Sequence, residues 1–313
     1  MEAPITLPEY QEAMTRIAPY VRHTPLVEAF PWKIAHDIEV RLKAECCQVT
    51  GSFKARGAFN RVLNLSDAVK KQGLATASGG NFGAAVAYVG QRLGLPADIF
   101  VMNTSTALTR ARIEHYGARL TVAGDFWDQS WDAAGAHVKT TGGALLHPYA
   151  DRDVVIGQGT TALEILADWP EVETLVVSIG GGGLIAGIAQ AAKLLNPDIR
   201  VVGVEAAGCP TLYTCRQQQK IVKLENVKTT VPILAARSTE PINFGLIEQY
   251  VDELVLVPEN LVEATAKEVW MQTGLAIELG AATAVATVSE GCFATRKGEK
   301  IAIVLCGGGT NGI

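Results

Sequence analysis

Short apolar runs rich in Val, Ile and Leu alternate along the chain with stretches whose apolar positions recur at three- and four-residue spacing. The runs predict strands at 40–44, 97–102, 120–123, 175–179, 200–204, 254–257 and 301–305. The periodic stretches predict helices at 53–65, 82–93, 106–116, 160–166, 184–195, 261–273 and 281–290. Several of the strands are apolar at every position, as strands covered on both faces are. Strand and helix alternating in this order imply an α/β fold with a parallel, doubly wound open sheet.

Glycine-rich turns fall at the carboxyl ends of predicted strands, at 78–83, 180–183 and 307–309. That edge is where open α/β sheets bind ligands. The window 175–192 has no charged residue and is long enough to span a bilayer. Four glycines interrupt it, so it reads as strand, turn and helix of a covered sheet rather than as a membrane span.

Composition narrows the choice of partner. With 48% apolar and 19% charged residues, the chain is ordinary globular material without a disordered bias. A net charge of −5 lacks the clustered cationic excess that nucleic-acid binding needs. The six cysteines include the adjacent pair Cys46 and Cys47 but no Cys-x-x-Cys, so they do not form a metal framework. The N-terminus lacks the charged-then-apolar plan of a signal peptide. Reduced thiols in a cytoplasmic protein are the expectation.

Four segments carry candidate chemistry. In Thr50-Gly51-Ser52-Phe53-Lys54-Ala55-Arg56-Gly57-Ala58, a lysine stands just inside a helix start, where N–H groups and the helix dipole favour anions. Partial burial would lower its pKa and free the amine for a Schiff base. A surface lysine near a helix cap, with Phe53 in the core, is the alternative. Gly180, Gly181, Gly182 and Gly183, followed by Leu184, lie between an apolar strand and an apolar helix. Successive N–H groups there can converge on a phosphate, although the segment is neither Gly-x-Gly-x-x-Gly nor a Walker loop. A tight turn needing positive φ is the other reading. Ser78-Gly79-Gly80-Asn81-Phe82-Gly83 offers hydroxyl, amide and N–H groups for a carboxylate, or an ordinary turn. Cys306, opening Cys306-Gly307-Gly308-Gly309-Thr310-Asn311, is a packing thiol or an uncharged partner for a ring nitrogen.

In this order and spacing the motifs resemble fold-type II pyridoxal phosphate (PLP) enzymes, of the branch that holds serine/threonine dehydratases and serine racemase. The resemblance runs from His23-Thr24-Pro25-Leu26 through the Lys54 and Asn81 segments, His147-Pro148, Gly157-Gln158-Gly159-Thr160, the tetraglycine turn, Val204-Glu205 and Glu278 to Cys306. It implies a tryptophan synthase β-like fold of two open-sheet domains with the cofactor in the cleft between them. The large PLP-binding domain would comprise 1–76 plus 144–313, and the small domain 77–143. Lys54 would carry PLP as a Schiff base and act on the Cα proton, with Phe53 against the pyridine ring and Asn81 on its hydroxyl. The N–H groups of Gly180 to Gly183 and of Leu184 would hold the phosphate, and Cys306 would face the ring nitrogen. Ser78, Gly79 and Gly80 would bind the substrate carboxylate. A homodimer is implied by the same likeness, and the end of the chain soon after 301–305 leaves no length for a regulatory domain.

A neutral thiol at the ring nitrogen does not enforce a protonated pyridinium, which suits β-elimination, where charge departs with the leaving group. The expected reaction is therefore loss of water from a β-hydroxy-α-amino acid to give an α-keto acid and ammonia. The departures from the family's pattern sharpen this. Gly79 stands where serine racemase has the serine that acts opposite the lysine, so racemisation is not expected. Thr211 stands where the family's cation site has an acid, so no divalent metal is expected beside Glu205. Leu279 replaces the usual proline, and Phe82 and Tyr149 replace a histidine and an asparagine. The two aromatics fit a bulky substituent such as that of phenylserine, or are drift in packing. A PLP-dependent β-replacement enzyme, and a non-catalytic small-molecule-binding α/β protein, are the alternatives.

Overall fold

The computed structural model describes residues 3–29 and 38–309. Thr310 and Asn311, the end of the last glycine motif, lie outside the described residues. The strands are β1 (Leu26–Glu28), β2 (Glu39–Lys43), β3 (Leu74–Ala77), β4 (Ala97–Val101), β5 (Arg119–Val122), β6 (Ala144–Leu145), β7 (Thr174–Ser178), β8 (Arg200–Ala206), β9 (Glu253–Val257) and β10 (Lys300–Val304). The first six helices are α1 (Leu7–Ile17), α2 (Lys54–Leu63), α3 (Asp67–Gln72), α4 (Asn81–Leu93), α5 (Ala107–His115) and α6 (Trp127–Thr141). The rest are α7 (Arg152–Asp168), α8 (Gly183–Leu195), α9 (Thr211–Gln218), α10 (Pro241–Tyr250), α11 (Val262–Thr273) and α12 (Leu279–Ser289).

The strands form two sheets. The larger runs in the order β1-β2-β10-β7-β8-β9, parallel except for β1, which pairs antiparallel with β2. The smaller, β5-β4-β3-β6, is parallel throughout. This is the expected doubly wound α/β architecture. The inner strands β7 and β10 are buried almost end to end, as coverage on both faces requires. The window 175–192 divides into most of β7, the glycine turn and the first part of α8. Among the described residues no helix is long and apolar enough to cross a membrane.

Each sheet has its own apolar core. Val176, Val202, Ile185 and Ile303 belong to the first, and Phe59, Phe82, Val86 and Ile99 to the second. The smaller sheet takes in β3, which ends at Ala77, and β6, which begins at Ala144. The expected boundary between 76 and 77 falls inside β3, and 144 falls at the start of a strand of the smaller sheet. Both strands are weak in the sequence, because β3 is Leu-Ala-Thr-Ala and β6 has two residues.

The helix expected at 160–166 is a seventeen-residue helix, α7. Gly157 and Gly159 look like a break in the sequence, yet they sit in mid-helix where other backbones cross. A Cβ on Gly157 would lie 2.6 Å from Arg56 O, and one on Gly159 would lie 2.7 Å from Gly187 O. Hydrogen at both positions lets α7 pack backbone to backbone against α2 and α8, and so sets α2 relative to the larger sheet.

Candidate active site

The segment before α2 is tied to the end of β10. Ser52 forms a bridge with Gly307, and Phe53 N–H donates to Cys306 O at 3.1 Å. Lys54 is then the first residue of α2. Two residues on, Arg56 is fully buried and grips two carboxylates. It reaches Glu45 at 2.8 Å through Nε and Nη2, and Glu164 at 2.6 and 2.8 Å. Lys43 Nζ adds a third contact to Glu164, at 2.7 Å. These pairs lock the first turn of α2 to α7 and to the chain just after β2. Their worth here is geometric, since a buried ion pair gains little net stability over a packed apolar one.

Lys54 Nζ lies at the floor of a cavity of about 890 Å³ between the two sheets. It donates to Pro148 O at 2.6 Å and sits 4.9 Å from the Phe53 ring centroid and 5.6 Å from that of Phe82. Burial pulls its pKa down to about 8; Cys306 and Glu278 oppose the shift. A useful fraction of free amine therefore exists near neutral pH, as Schiff-base chemistry needs.

The Ser78 loop joins β3 to α4. Gly80 N–H donates to Ser78 Oγ at 3.3 Å, while the N–H groups of Gly79 and Asn81 have no protein acceptor among the described residues. Asn81 Nδ2 donates to Glu278 Oε2 at 2.9 Å, and Arg112 Nη1 donates to Asn81 Oδ1 at 3.3 Å. The Cys306 thiol lies 3.6 Å from Glu278 Oε1. Burial raises the pKa of both Glu278 and Cys306, and the neighbouring Glu278 adds to the rise at Cys306. Cys306 therefore stays a neutral thiol.

The tetraglycine turn opens α8. Gly182 has φ +93°, which only glycine adopts without strain. Gly181 O accepts from Asn243 Nδ2 at 2.9 Å and from Thr239 Oγ1 at 3.0 Å, which anchors the turn. The N–H groups of Gly180, Gly181, Gly182 and Gly183 carry no protein acceptor among the described residues, and all four residues line the cavity. The Tyr149 ring covers the turn so closely that a Cβ on Gly181 would meet it at 2.5 Å.

The residues expected at the cofactor and substrate line this one cavity: Lys54 with Phe53 and Cys306, the four glycines with Leu184, and Ser78, Gly79, Gly80, Asn81 and Phe82 with Tyr149. The donor set fits a phosphate-bearing aromatic aldehyde. It offers an amine of lowered pKa, a row of unpartnered N–H groups at a helix start, and an uncharged thiol. Sequence reading missed Met102, Phe126, Trp127 and Ile233, which also line the cavity. The adjacent aromatics Phe126 and Trp127, at the N-cap and first position of α6, were the available signal. Glu205 is a buried strand-end carboxylate that accepts from Leu212 N–H and Tyr213 N–H, both at 2.8 Å. Burial lifts its pKa to about 7 against those bonds. Among the described residues no cluster of three His, Cys, Asp or Glu is arranged to hold a metal ion.

Comparison with known proteins agrees with this geometry. The chain is 34% identical over 304 residues to L-threonine ammonia-lyase of Thermotoga maritima, covering 97% of this chain and 75% of that protein. It is 32% identical over 296 residues to phenylserine dehydratase of Ralstonia pickettii, covering 95% and 90%. The solved structure of maize serine racemase superposes with a TM-score of 0.92 at 29% identity, over 98% of this chain and 94% of that one. The family model described as pyridoxal-phosphate dependent enzyme matches residues 17–307, and the chain belongs to that family.

Proposed function

We propose that the protein is a PLP-dependent ammonia-lyase that removes water from a β-hydroxy-α-amino acid, giving an α-keto acid and ammonia. The observation that carries this reading is the buried amine of Lys54 in one cavity with the glycine turn and the Ser78 loop. PLP, when bound, supplies the electron sink for breaking the bond to the Cα proton.

The remaining roles belong to this chain. Gly180, Gly181, Gly182, Gly183 and Leu184 would hold the phosphate through N–H groups, and Phe53 would pack on the ring. Asn81 would meet the ring hydroxyl. Cys306 would offer the ring nitrogen a neutral partner, which would stabilise a lasting carbanion poorly and so suit departure of the β-hydroxyl. Ser78, with the free N–H groups of Gly79 and Asn81, orients the substrate carboxylate. Lys54 Nζ would take the Cα proton, and that proton with the departing β-hydroxyl makes up the water lost. Phe82 and Tyr149 keep water from the reacting face. Gly79 carries no hydroxyl of its own to return a proton on the face opposite Lys54, which disfavours racemisation.

We read the two sheets as two domains with the site in the cleft, the smaller running from β3 to β6, and the enzyme as a cytoplasmic homodimer. Sedimentation of the holoenzyme tests the dimer. The reaction is tested by incubating holoenzyme with serine, threonine and phenylserine and measuring keto acid and ammonia. Keto acid formed without added nucleophile supports elimination. Product formed only when sulfide is supplied would mean β-replacement. A protein that shows no visible Schiff-base absorbance after PLP is added would be a binder.

A further inference from the structure

We infer that the β-substituent taken by this site is an aromatic ring, and that Phe126 and Trp127 select it. The inference rests on the elimination reading above and names the substrate class within it.

Trp127 opens α6, and its Nε1 donates to Ala77 O at 2.9 Å. Ala77 ends β3 and directly precedes Ser78, so the indole is pinned beside the loop that faces the substrate carboxylate. Trp127 stacks on Trp131 with centroids 5.3 Å apart, and both present their faces or edges to His147 at 5.8 and 4.9 Å. His147 in turn meets Tyr149 edge to face at 4.6 Å, and Tyr149 covers Gly181. A continuous run of aromatic rings thus connects the Ser78 loop to the glycine turn.

Two further side chains extend the apolar wall. Phe126 is 66% exposed and Ile233 is 40% exposed, and both line the cavity instead of packing into a core. Hydrogen or a methyl group as β-substituent leaves this surface wet. A phenyl group covers it and meets the ring edges in the arrangement aromatic pairs favour.

Charge at the cavity mouth points the same way. Lys223 is paired with Asp128 at 2.8 Å, and Arg237 donates to the carbonyls of Leu224 and Glu225. Glu240 is the remaining charged group at the rim. The rim thus carries two cations, Lys223 and Arg237, against two acids, Asp128 and Glu240, and offers an anionic β-substituent no net positive charge.

Binding and turnover of the holoenzyme test this separately. L-Phenylalanine and L-alanine have no leaving group, and their binding is read from the change in cofactor absorbance. Enclosing the ring should make phenylalanine bind about 10- to 100-fold more tightly than alanine. In turnover, kcat/KM for L-phenylserine should exceed that for L-threonine by about tenfold or more, and Phe126→Ala or Trp127→Leu should lower that ratio about tenfold. Phe126 is exposed, so its truncation does not threaten the fold. If phenylalanine binds no better than alanine and threonine is the faster substrate, the aromatic inference falls and elimination stands. If phenylalanine binds more tightly but no hydroxy amino acid yields keto acid, the aromatic pocket stands and elimination falls. A ratio unchanged in both variants would overturn the assignment to Phe126 and Trp127.

Discussion

Lys54 Nζ donates to Pro148 O at 2.6 Å, so the reactive amine rests on the chain segment that also carries His147 and Tyr149. Burial has lowered the pKa of this amine from 10.5 to about 8. Between these two values the unfolded chain binds more protons than the folded one, so the stability contributed by this group rises with pH across that window and is lowest below pH 8. Lys54→Met removes a charge from a site that disfavours it. The cofactor-free variant should be roughly 1–3 kcal/mol more stable than wild type near pH 7, with the difference shrinking towards pH 10. Urea unfolding at the two pH values measures this. The same variant should bind no PLP that borohydride can fix to the protein.

Arg56 is the second expectation. It is buried between Glu45 and Glu164, and its removal leaves Glu45 without a cation in the core and Glu164 with Lys43 alone. Arg56→Ala should destabilise the protein by about 3–5 kcal/mol. Arg56→Lys keeps the charge but cannot address both carboxylates in a planar fork, and should fall between wild type and Arg56→Ala. Thermal unfolding of the two variants ranks them.

How far the molecule could be read in advance follows from local signal. β2, β4, β5 and β7 to β10 carry branched apolar residues and appear within a residue or two of their expected positions. β3 is half alanine, β1 and β6 are very short, and α6 carries polar residues among its aromatics, so period and propensity alone do not mark them. The site divides the same way. Lys54, Ser78 and the tetraglycine turn announce themselves through short motifs with a backbone logic. Trp127 and Ile233 enter through tertiary packing, and no spacing in the sequence brings them to Lys54. Arg56 stood in the Lys54 motif, but its partners are 11 and 108 residues away.

His147 gives a pH expectation of its own. Burial holds its pKa near 4, and the charge of Lys54 adds to the shift. The neutral ring is needed, because Nδ1 accepts from Ala150 N–H at 2.8 Å. The folded-state value lies below the unfolded value of 6.5, so the stability this group contributes is present above pH 6.5 and is lost as pH falls towards 4. His147→Asn retains an acceptor and does not titrate. Between about pH 6.5 and 4.5, wild type should lose roughly 1–3 kcal/mol more than the variant in urea unfolding. An equal loss in both would mean that other groups govern the acid limb.

The glycine turn yields a contrast between two neighbouring positions. A Cβ on Gly183 would collide with the backbone carbonyl oxygen of Tyr149, and backbone cannot swing aside as a side-chain tip does. On Gly180 the nearest atom would be Leu234 Cα at 3.4 Å, which is ordinary contact. Gly183→Ala must therefore push the turn and the Tyr149 segment apart, spoiling the convergence of N–H groups on the phosphate. PLP affinity of the cofactor-free protein should fall about tenfold or more in Gly183→Ala, the loss of roughly one good charge-assisted hydrogen bond. Gly180→Ala should change it by less than about threefold, since no backbone has to move. Equilibrium dialysis against PLP compares the two. Equal losses would mean that the added methyl groups act by crowding the cofactor directly, and that the packing of Tyr149 against the turn does not govern phosphate binding.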